Sequence, residues 1–517
     1  MDDEVQILEE IDWDPQPVLR PGVDYQSGVV YFTIPLTRRV LVPSKKKDMP
    51  GKVESQLQTY VVTSDREGIW YDKEALEAHG FQRKEFIMQE LETRWSRESV
   101  KAFLDRKSKA PSSRDVFRIL RGVYTSYVEF ADEIYHDIMA LYVMYTYVFR
   151  LFESTGYVHF NGTAASGKSR NLSILNALAF NTIWASSLSA AALYRKLDGS
   201  PGTTCIDESE GWEGERGEEL RRILNAGYKQ GAQVGRAEKG TNDRWTTAMY
   251  EVYGPKALAS INPLEDVIAS RCLVVAMRPA IRELPDFLTS DPALSQIRDG
   301  MYLWAMDNTK AIAELDALWR DPGVAGKKAR LCPRLIGRQW ETTAQYIILA
   351  DYIGGEEFAS RIITFMNAYF AKQQEAMNAT DRIRTTLRCL PRVLATKAAH
   401  PGHLYSIKDI HEVVSSYMEE DSTEYFKTKH VMKNLDTLGF KKKVRAAGGI
   451  RIELSEDAVR NEFTQRRVDP FDEDVDWLAG KRSYIIASSI FDTGLHSPVE
   501  IEGRDNDVPW WEQEEPE

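Results

Sequence analysis

Near the start of the chain, apolar and polar positions alternate with a period of two. The runs GVVYFTI, RRVLVP, QTYVVTS and GIWYD, between Gly28 and Asp72, read as strands separated by turn residues and by Lys45-Lys46-Lys47. They predict a small β-rich domain. From Lys73 to about Tyr127 the pattern turns helical, and 131–153 reads as a long, strongly apolar helix that should pack against a core. Strands and helices then alternate. YVHF, NTIWASS, TTCIDE, KALASIN and RCLVVAM read as strands, with a helix after each of the first three. This order predicts an α/β core with a parallel sheet and helices on both faces. From Pro292 to Glu375 the chain reads as helical throughout, which suits a lid. Residues 403–455 read helix, helix, then FKKKVRAA and GIRIEL as strands, the order of a winged helix. The expected divisions are 1–110, β-rich then helical; 111–290, the α/β core; 291–395, the helical lid; 396–456, the winged helix; and 457–517, an acidic tail.

Composition narrows this picture. At 517 residues the chain has room for about three domains, and 43% hydrophobic with 28% charged residues is a globular mix. No apolar run approaches the ~20 residues of a membrane span. The acidic start MDDEVQILEEIDWD lacks the basic-then-apolar order of a secretory signal, so a cytoplasmic location is expected. Cys205, Cys272, Cys332 and Cys389 form no C-x-x-C pair, and His400 and His403 flank a Pro-Gly turn; neither set suggests a metal site. The net charge of −12 disfavours a surface coated in nucleic acid but leaves room for a local basic channel.

The most specific chemistry is Gly162-Thr163-Ala164-Ala165-Ser166-Gly167-Lys168-Ser169, which fits G-x-x-x-x-G-K-[ST] between a strand and a helix. Such a loop turns its backbone N–H groups inward around phosphates. Lys168 would meet the β and γ phosphates of ATP, and the Ser169 hydroxyl would ligate Mg²⁺. The helix behind the loop points its positive end at the same anion. One strand and one helix later, Thr203-Thr-Cys-Ile-Asp207-Glu208 is an apolar strand ending in two carboxylates. Asp207 would hold Mg²⁺, directly or through water, and Glu208 would orient and deprotonate the attacking water. Glu210 lies off the strand and is given no role.

From Tyr124 to about Gly355 the chain resembles the AAA+-like ATPase domain of phage and plasmid primase–helicase proteins, and is similar to superfamily 3 and minichromosome-maintenance helicases. The likeness rests on YVEFADEIYHDIMALYVMYTYVF, NGTAASGKSR, ASSLSAAALYRKLDG, TTCIDESEGW, ELRRILNAGYKQGAQVGR, VYGPKALASIN and IASRCLVVAM. It implies an α/β, AAA+-type P-loop ATPase core with a helical lid, between the N-terminal β-rich domain and the C-terminal winged helix. It also implies residue roles. Asn262, ending the fourth strand, looks like sensor 1, which contacts the γ-phosphate or the attacking water. Arg271, after Ser270, looks like an arginine finger supplied to a neighbouring subunit, which implies a ring, a homo-hexamer. Arg334 or Arg338 looks like sensor 2; spacing does not choose between them.

Two further segments point to DNA. Between Gln230 and the sensor-1 strand, two β-prone runs flank Glu238-Lys239-Gly240-Thr241-Asn242, a hairpin signal. In the helicases resembled, a hairpin here projects into the ring channel and its tip lysine holds the DNA backbone; Lys239 takes that place, with Arg236 and Arg244 widening the basic patch. From Lys427 to Arg451 there are eight Lys and Arg, including Lys427, Lys429, Lys433, Lys441, Lys442 and Lys443, against the single acid Asp436. That clustering suits duplex binding by a winged helix, although winged helices also bind proteins. Trp510 and Trp511 in the acidic terminus either fold back or dock a protein partner. The resulting expectation is an ATP-driven, ring-forming DNA helicase or translocase acting in replication of a phage or mobile element. The alternative is an AAA+ switch or loader that assembles on DNA or protein without unwinding.

Overall fold

The computed structural model describes residues 16–42, 52–84, 94–185, 188–207, 214–239, 245–323, 326–380, 382–417, 427–446, 449–466 and 468–471. The chain divides into two compact units, one reaching to Asn367 and the other starting at Ala368.

In the first unit, β1 (Val23–Gln26), β2 (Val29–Val42), β3 (Lys52–Thr63) and β4 (Gly68–Trp70) form an antiparallel sheet in chain order. The two runs read as separate strands on either side of Pro35 are one strand, β2. β1 pairs only with Val29–Phe32, so the missing N–H of Pro35 faces an open edge and breaks no ladder bond. Helices α1 (Arg97–Leu104) and α2 (Ser113–Tyr127) follow, each begun by a serine, Ser96 or Ser112, that accepts a backbone N–H. α3 (Ile134–Val148) is buried on every side from His136 to Val148, as a helix apolar all round its surface must be.

The parallel sheet comprises β5 (Tyr157–Gly162), β6 (Ile183–Trp184), β7 (Thr204–Ile206), β10 (Lys256–Ser260) and β11 (Cys272–Met277), in the spatial order β11-β5-β10-β7-β6. Helices α4 (Lys168–Leu178), α5 (Ala190–Gly199) and α6 (Gly214–Ala226) follow its first three strands. An antiparallel hairpin, β8 (Gln233–Lys239) and β9 (Trp245–Glu251), precedes β10. β10 is buried throughout, as a central parallel strand covered on both faces must be. α7 (Pro292–Arg320) starts on the Asp291 cap with proline at its first position. α8 (Arg338–Thr380) breaks at Gly355, whose φ of 70° no helix interior accommodates.

The second unit has one apolar core. Around it lie α9 (Arg382–Thr396), β12 (Leu404–Ser406), α10 (Ile407–Ser415), α11 (Thr428–Thr437), β13 (Lys443–Ala446), β14 (Gly449–Glu453) and α12 (Glu456–Arg466). The three strands pair antiparallel in the order β12-β14-β13. α9, read as the end of the helical lid, contributes Leu387, Leu390 and Val393 to this core. Among the described residues no helix is long and apolar enough to cross a membrane.

Candidate nucleotide site

Everything around the phosphate loop follows from its place at the C-terminal end of β5, where parallel α/β sheets bind ligands. Gly167, the N-cap of α4, has φ 87°, and Ala165 has φ 59°. These left-handed residues turn the loop back over the helix. Gly162 is required by a close approach: a Cβ there would stand 2.3 Å from the carbonyl oxygen of Met277, where β11 ends alongside. Lys168 Nζ donates to the carbonyls of Gly162 (2.6 Å) and Thr163 (2.7 Å), and Ser166 Oγ to that of Thr163 (2.8 Å).

The sheet order sets β7 one strand away from β5, with β10 between them. Asp207, immediately after β7, therefore faces the first turn of α4. Ser169 Oγ donates to Asp207 Oδ2 at 3.1 Å. A hydroxyl and a carboxylate converging at a helix N-terminus form an oxygen donor set that fits Mg²⁺. Glu208 lies outside the described residues, as does Glu210.

Asn262 lies two residues beyond β10 and is exposed. Its loop is held by residues that motif reading does not single out. Asn161 Nδ2, at the end of β5, donates to the carbonyls of Ile261 (3.0 Å) and Asn262 (3.1 Å). Ser260 Oγ donates to the Asn262 carbonyl (2.6 Å) and so accepts from His159 Nε2, also at 2.6 Å. Burial pulls His159 down to about 4, which keeps the ring neutral in this chain of hydrogen bonds.

A cavity of about 520 Å³ opens beside the loop, between Tyr127–Glu129 and Arg278–Leu284, a size that suits a small ligand. Glu129 accepts the backbone N–H groups of Ile281 (3.2 Å) and Arg282 (3.1 Å), and the Arg282 guanidinium donates to the carbonyls of Thr125 and Val128. Glu129, Ile281 and Arg282 lie in irregular segments with no spacing signal.

The arginines lie elsewhere. Arg271 precedes β11 beside Tyr157, at the opposite end of β5 from Gly162, roughly 17 Å away along the strand. It is 7% exposed, donates to the Val267 carbonyl, and lies over the Tyr228 ring at 4.6 Å. Arg338 shares that ring at 5.3 Å and donates to Ser270 Oγ at 2.9 Å. Burial, and then Arg338, pull Arg271 below its ordinary value. Arg334 is exposed, between the short helix Lys327–Leu331 and α8.

At the hairpin, Lys239 closes β8 opposite Trp245, which is 70% exposed; Arg244 and 240–244 lie outside the described residues. Arg236 does not widen a free basic patch. It pairs with Glu219 at 3.1 Å and lies over Tyr194, because its position in β8 faces α6 and α5. The base of the hairpin is anchored by buried charge. Glu251 binds Arg150 and Arg20 (3.0 Å), and its backbone N–H donates to Asp198, itself paired with Lys84 at 2.6 Å. Burial alone would raise the Glu251 carboxyl, but Arg150 and Arg20 outweigh it and hold it at about 2. Lys256, fully buried at the start of β10, donates to the carbonyls of Val252 (2.9 Å), Gly254 (3.0 Å) and Gly227 (3.3 Å).

In the second unit Lys427, Lys429, Lys433 and Lys441 are exposed, whereas Lys442 pairs with Glu453 and Lys443 with Asp436. The tail tryptophans lie outside the described residues.

No protein-family model matches the chain, and no curated protein sequence matches it significantly. Among solved structures it is similar to the apo A form of the NrS-1 C-terminal region, 13% identical over 67% of this chain and 76% of that one, with a TM-score of 0.29. It is also similar to SCCmec type IV Cch, an active helicase (10% identical, 86% of this chain, 94% of that one, TM-score 0.32), and to Drosophila ORC bound to DNA (11%, 68%, 92%, TM-score 0.18). Likenesses this distant carry no functional weight, and the reading of the site rests on its own residues.

Proposed function

We propose that this chain is an AAA+-type ATPase that works as a ring-forming DNA helicase or translocase in the replication of a phage or mobile element. The observation that carries the proposal is the 3.1 Å contact between Ser169 and Asp207 behind a G-x-x-x-x-G-K-S loop. Lys168, now held by two loop carbonyls, exchanges them for the β and γ phosphates of ATP. Ser169 and Asp207 would hold Mg²⁺, which would supply charge neutralisation on those phosphates. Glu208 takes the proton of the attacking water, and Asn262 orients that water. Arg271 lies too far along the sheet to serve its own loop, so it acts on the site of a neighbouring subunit, and the working form is a homo-hexamer. Arg334 and Arg338 are the candidates for sensing the nucleotide from the helical segment.

The β8–β9 hairpin is the element that moves DNA. Lys239 binds the phosphate backbone, and Trp245 opposite it offers an exposed ring to an unpaired base. The lysines of α11 and its wing bind duplex phosphates, Lys427, Lys429, Lys433 and Lys441 being the ones without an acidic partner among the described residues. The deciding experiment measures ATP hydrolysis and fork unwinding on one preparation, with and without single-stranded DNA, beside Glu208→Gln. DNA-stimulated hydrolysis and fork opening, both lost in the variant, are expected. Hydrolysis that depends on Glu208 but ignores DNA, with no unwinding, would replace the motor by a nucleotide switch or loader.

A further inference from the structure

The N-terminal sheet carries a groove that nucleotide chemistry does not use. Three adjoining cavities, of about 230, 540 and 810 Å³, lie between β2, β3, β4 and α1. Arg38 and Trp70 line two of them, and Arg39 and Arg97 line two. The floor is aromatic: Tyr60 and Trp70 meet edge to face at 4.8 Å, and the Arg38 guanidinium lies 4.4 Å over the Trp70 ring. Gly68 makes room for this arrangement, since a Cβ there would stand 1.7 Å from the Tyr60 hydroxyl.

The rim is basic, and its charge is not used internally. Arg39, Arg83, Arg97 and Lys101 are exposed, and none of their side chains makes an ion pair among the described residues. The acids nearby are mostly engaged. Asp72 caps the helix Lys73–Ala78, and Asp105 pairs with Lys107 at 3.1 Å, leaving Glu98. A chain of net charge −12 that gathers unpaired cations around an aromatic floor has built a surface complementary to a polyanion bearing flat rings.

We infer that this groove is a third DNA site, distinct from the hairpin and the C-terminal unit, which binds a single strand. Its phosphates meet Arg39, Arg97 and Lys101, and its bases stack on the Arg38–Trp70–Tyr60 platform. The single strand is required because duplex bases have no free faces to offer such a platform. The choice of DNA over RNA rests on the motor reading above; the groove itself does not.

The test uses the full-length chain without nucleotide and a labelled 15-nucleotide oligo-dT carrying one 5-iododeoxyuridine. Anisotropy compares wild type with Arg39→Glu/Arg97→Glu across a salt series, and ultraviolet crosslinks are mapped by mass spectrometry. The double variant is expected to bind about 10-fold more weakly, with the salt slope reduced by about 1.4 for two lost phosphate contacts. Crosslinks to Tyr60 or Trp70 should appear in wild type and vanish in the variant. DNA-free ATP hydrolysis and the melting temperature should not change, since both arginines are exposed. Wild-type affinity and slope in the variant, or crosslinks confined to residues outside 29–104, would overturn the site. Equal binding of a hairpin duplex overturns the single-strand assignment, and tighter binding of oligo-U overturns the choice of DNA. Hydrolysis that survives Glu208→Gln defeats the motor reading and leaves the groove standing.

Discussion

At the C-terminal ends of the parallel strands, Ser169 and Asp207 stand 3.1 Å apart, and Asn161, Ser260 and His159 hold the Asn262 loop. At the N-terminal ends, Arg271 and Arg338 share the ring of Tyr228, and Lys256 is surrounded by carbonyls. The first end mixes donors and acceptors within one chain. The second gathers cations, and neither arginine pairs with a carboxylate among the described residues. Of the two, Arg271 is buried and Arg338 exposed, and a buried cation without an anion is costly. Under the proposed function, the first end would bind the chain's own nucleotide and the second would offer charge to a neighbour's phosphate.

Arg271→Ala should have the largest effect, lowering ATP turnover at least about 10³-fold if Arg271 is supplied to a neighbour's site. Mixing it with Lys168→Ala, inactive alone, should restore part of the activity, because the second chain lends Arg271 to the intact site of the first. Absence of any recovery would confine Arg271 to its own chain. Next in size, Ser169→Ala should cut turnover about 10²-fold, in the range of a lost transition-state contact, and raise the Mg²⁺ concentration needed for half-maximal rate. An unchanged Mg²⁺ requirement would remove Ser169 from the metal site.

Glu251→Gln leaves Arg150 without its buried carboxylate, while Arg20 keeps only Asp24. Urea unfolding should show a loss of about 3 kcal/mol. A loss under about 1 kcal/mol would mean the network does not hold the hairpin base. The smallest effect concerns the other end and depends on pH. His159 is held at about 4 when folded against an ordinary 6.5. The unfolded chain thus takes up the proton first, and stability falls as pH drops from 6.5 towards 4. About 2 kcal/mol should be lost between pH 7 and pH 5 on this account. His159→Gln should flatten that part of the profile by the same amount; an identical acid limb would show that other groups set it.

Short-range pattern carried much of this molecule. The glycine loop, the five strand positions of the parallel sheet, the hairpin before β10 and the β13–β14 pair all follow from local alternation and from glycine and turn residues. What escaped has a common cause. Asn161, His159, Glu251 and Tyr228 look like ordinary strand or helix residues, and they matter through partners that are distant in sequence. Arg236 was legible as a basic residue but not as one matched to Glu219, since the charge that cancels it comes from another helix. Pro35 reads as a strand breaker, and only the open edge of β2 makes it harmless.

By itself, then, the sequence marked the residues proposed to bind a triphosphate and a divalent cation, because that chemistry is written in one contiguous loop and in the strand end at Asp207. The tertiary structure decided how those pieces meet. Placing β10 between β5 and β7 brings Asp207 to Ser169, and running β11 parallel to β5 carries Arg271 to the far end of the sheet. It also decided which cations remain free for an outside anion, as charge is cancelled through space by neighbours that strand order selects.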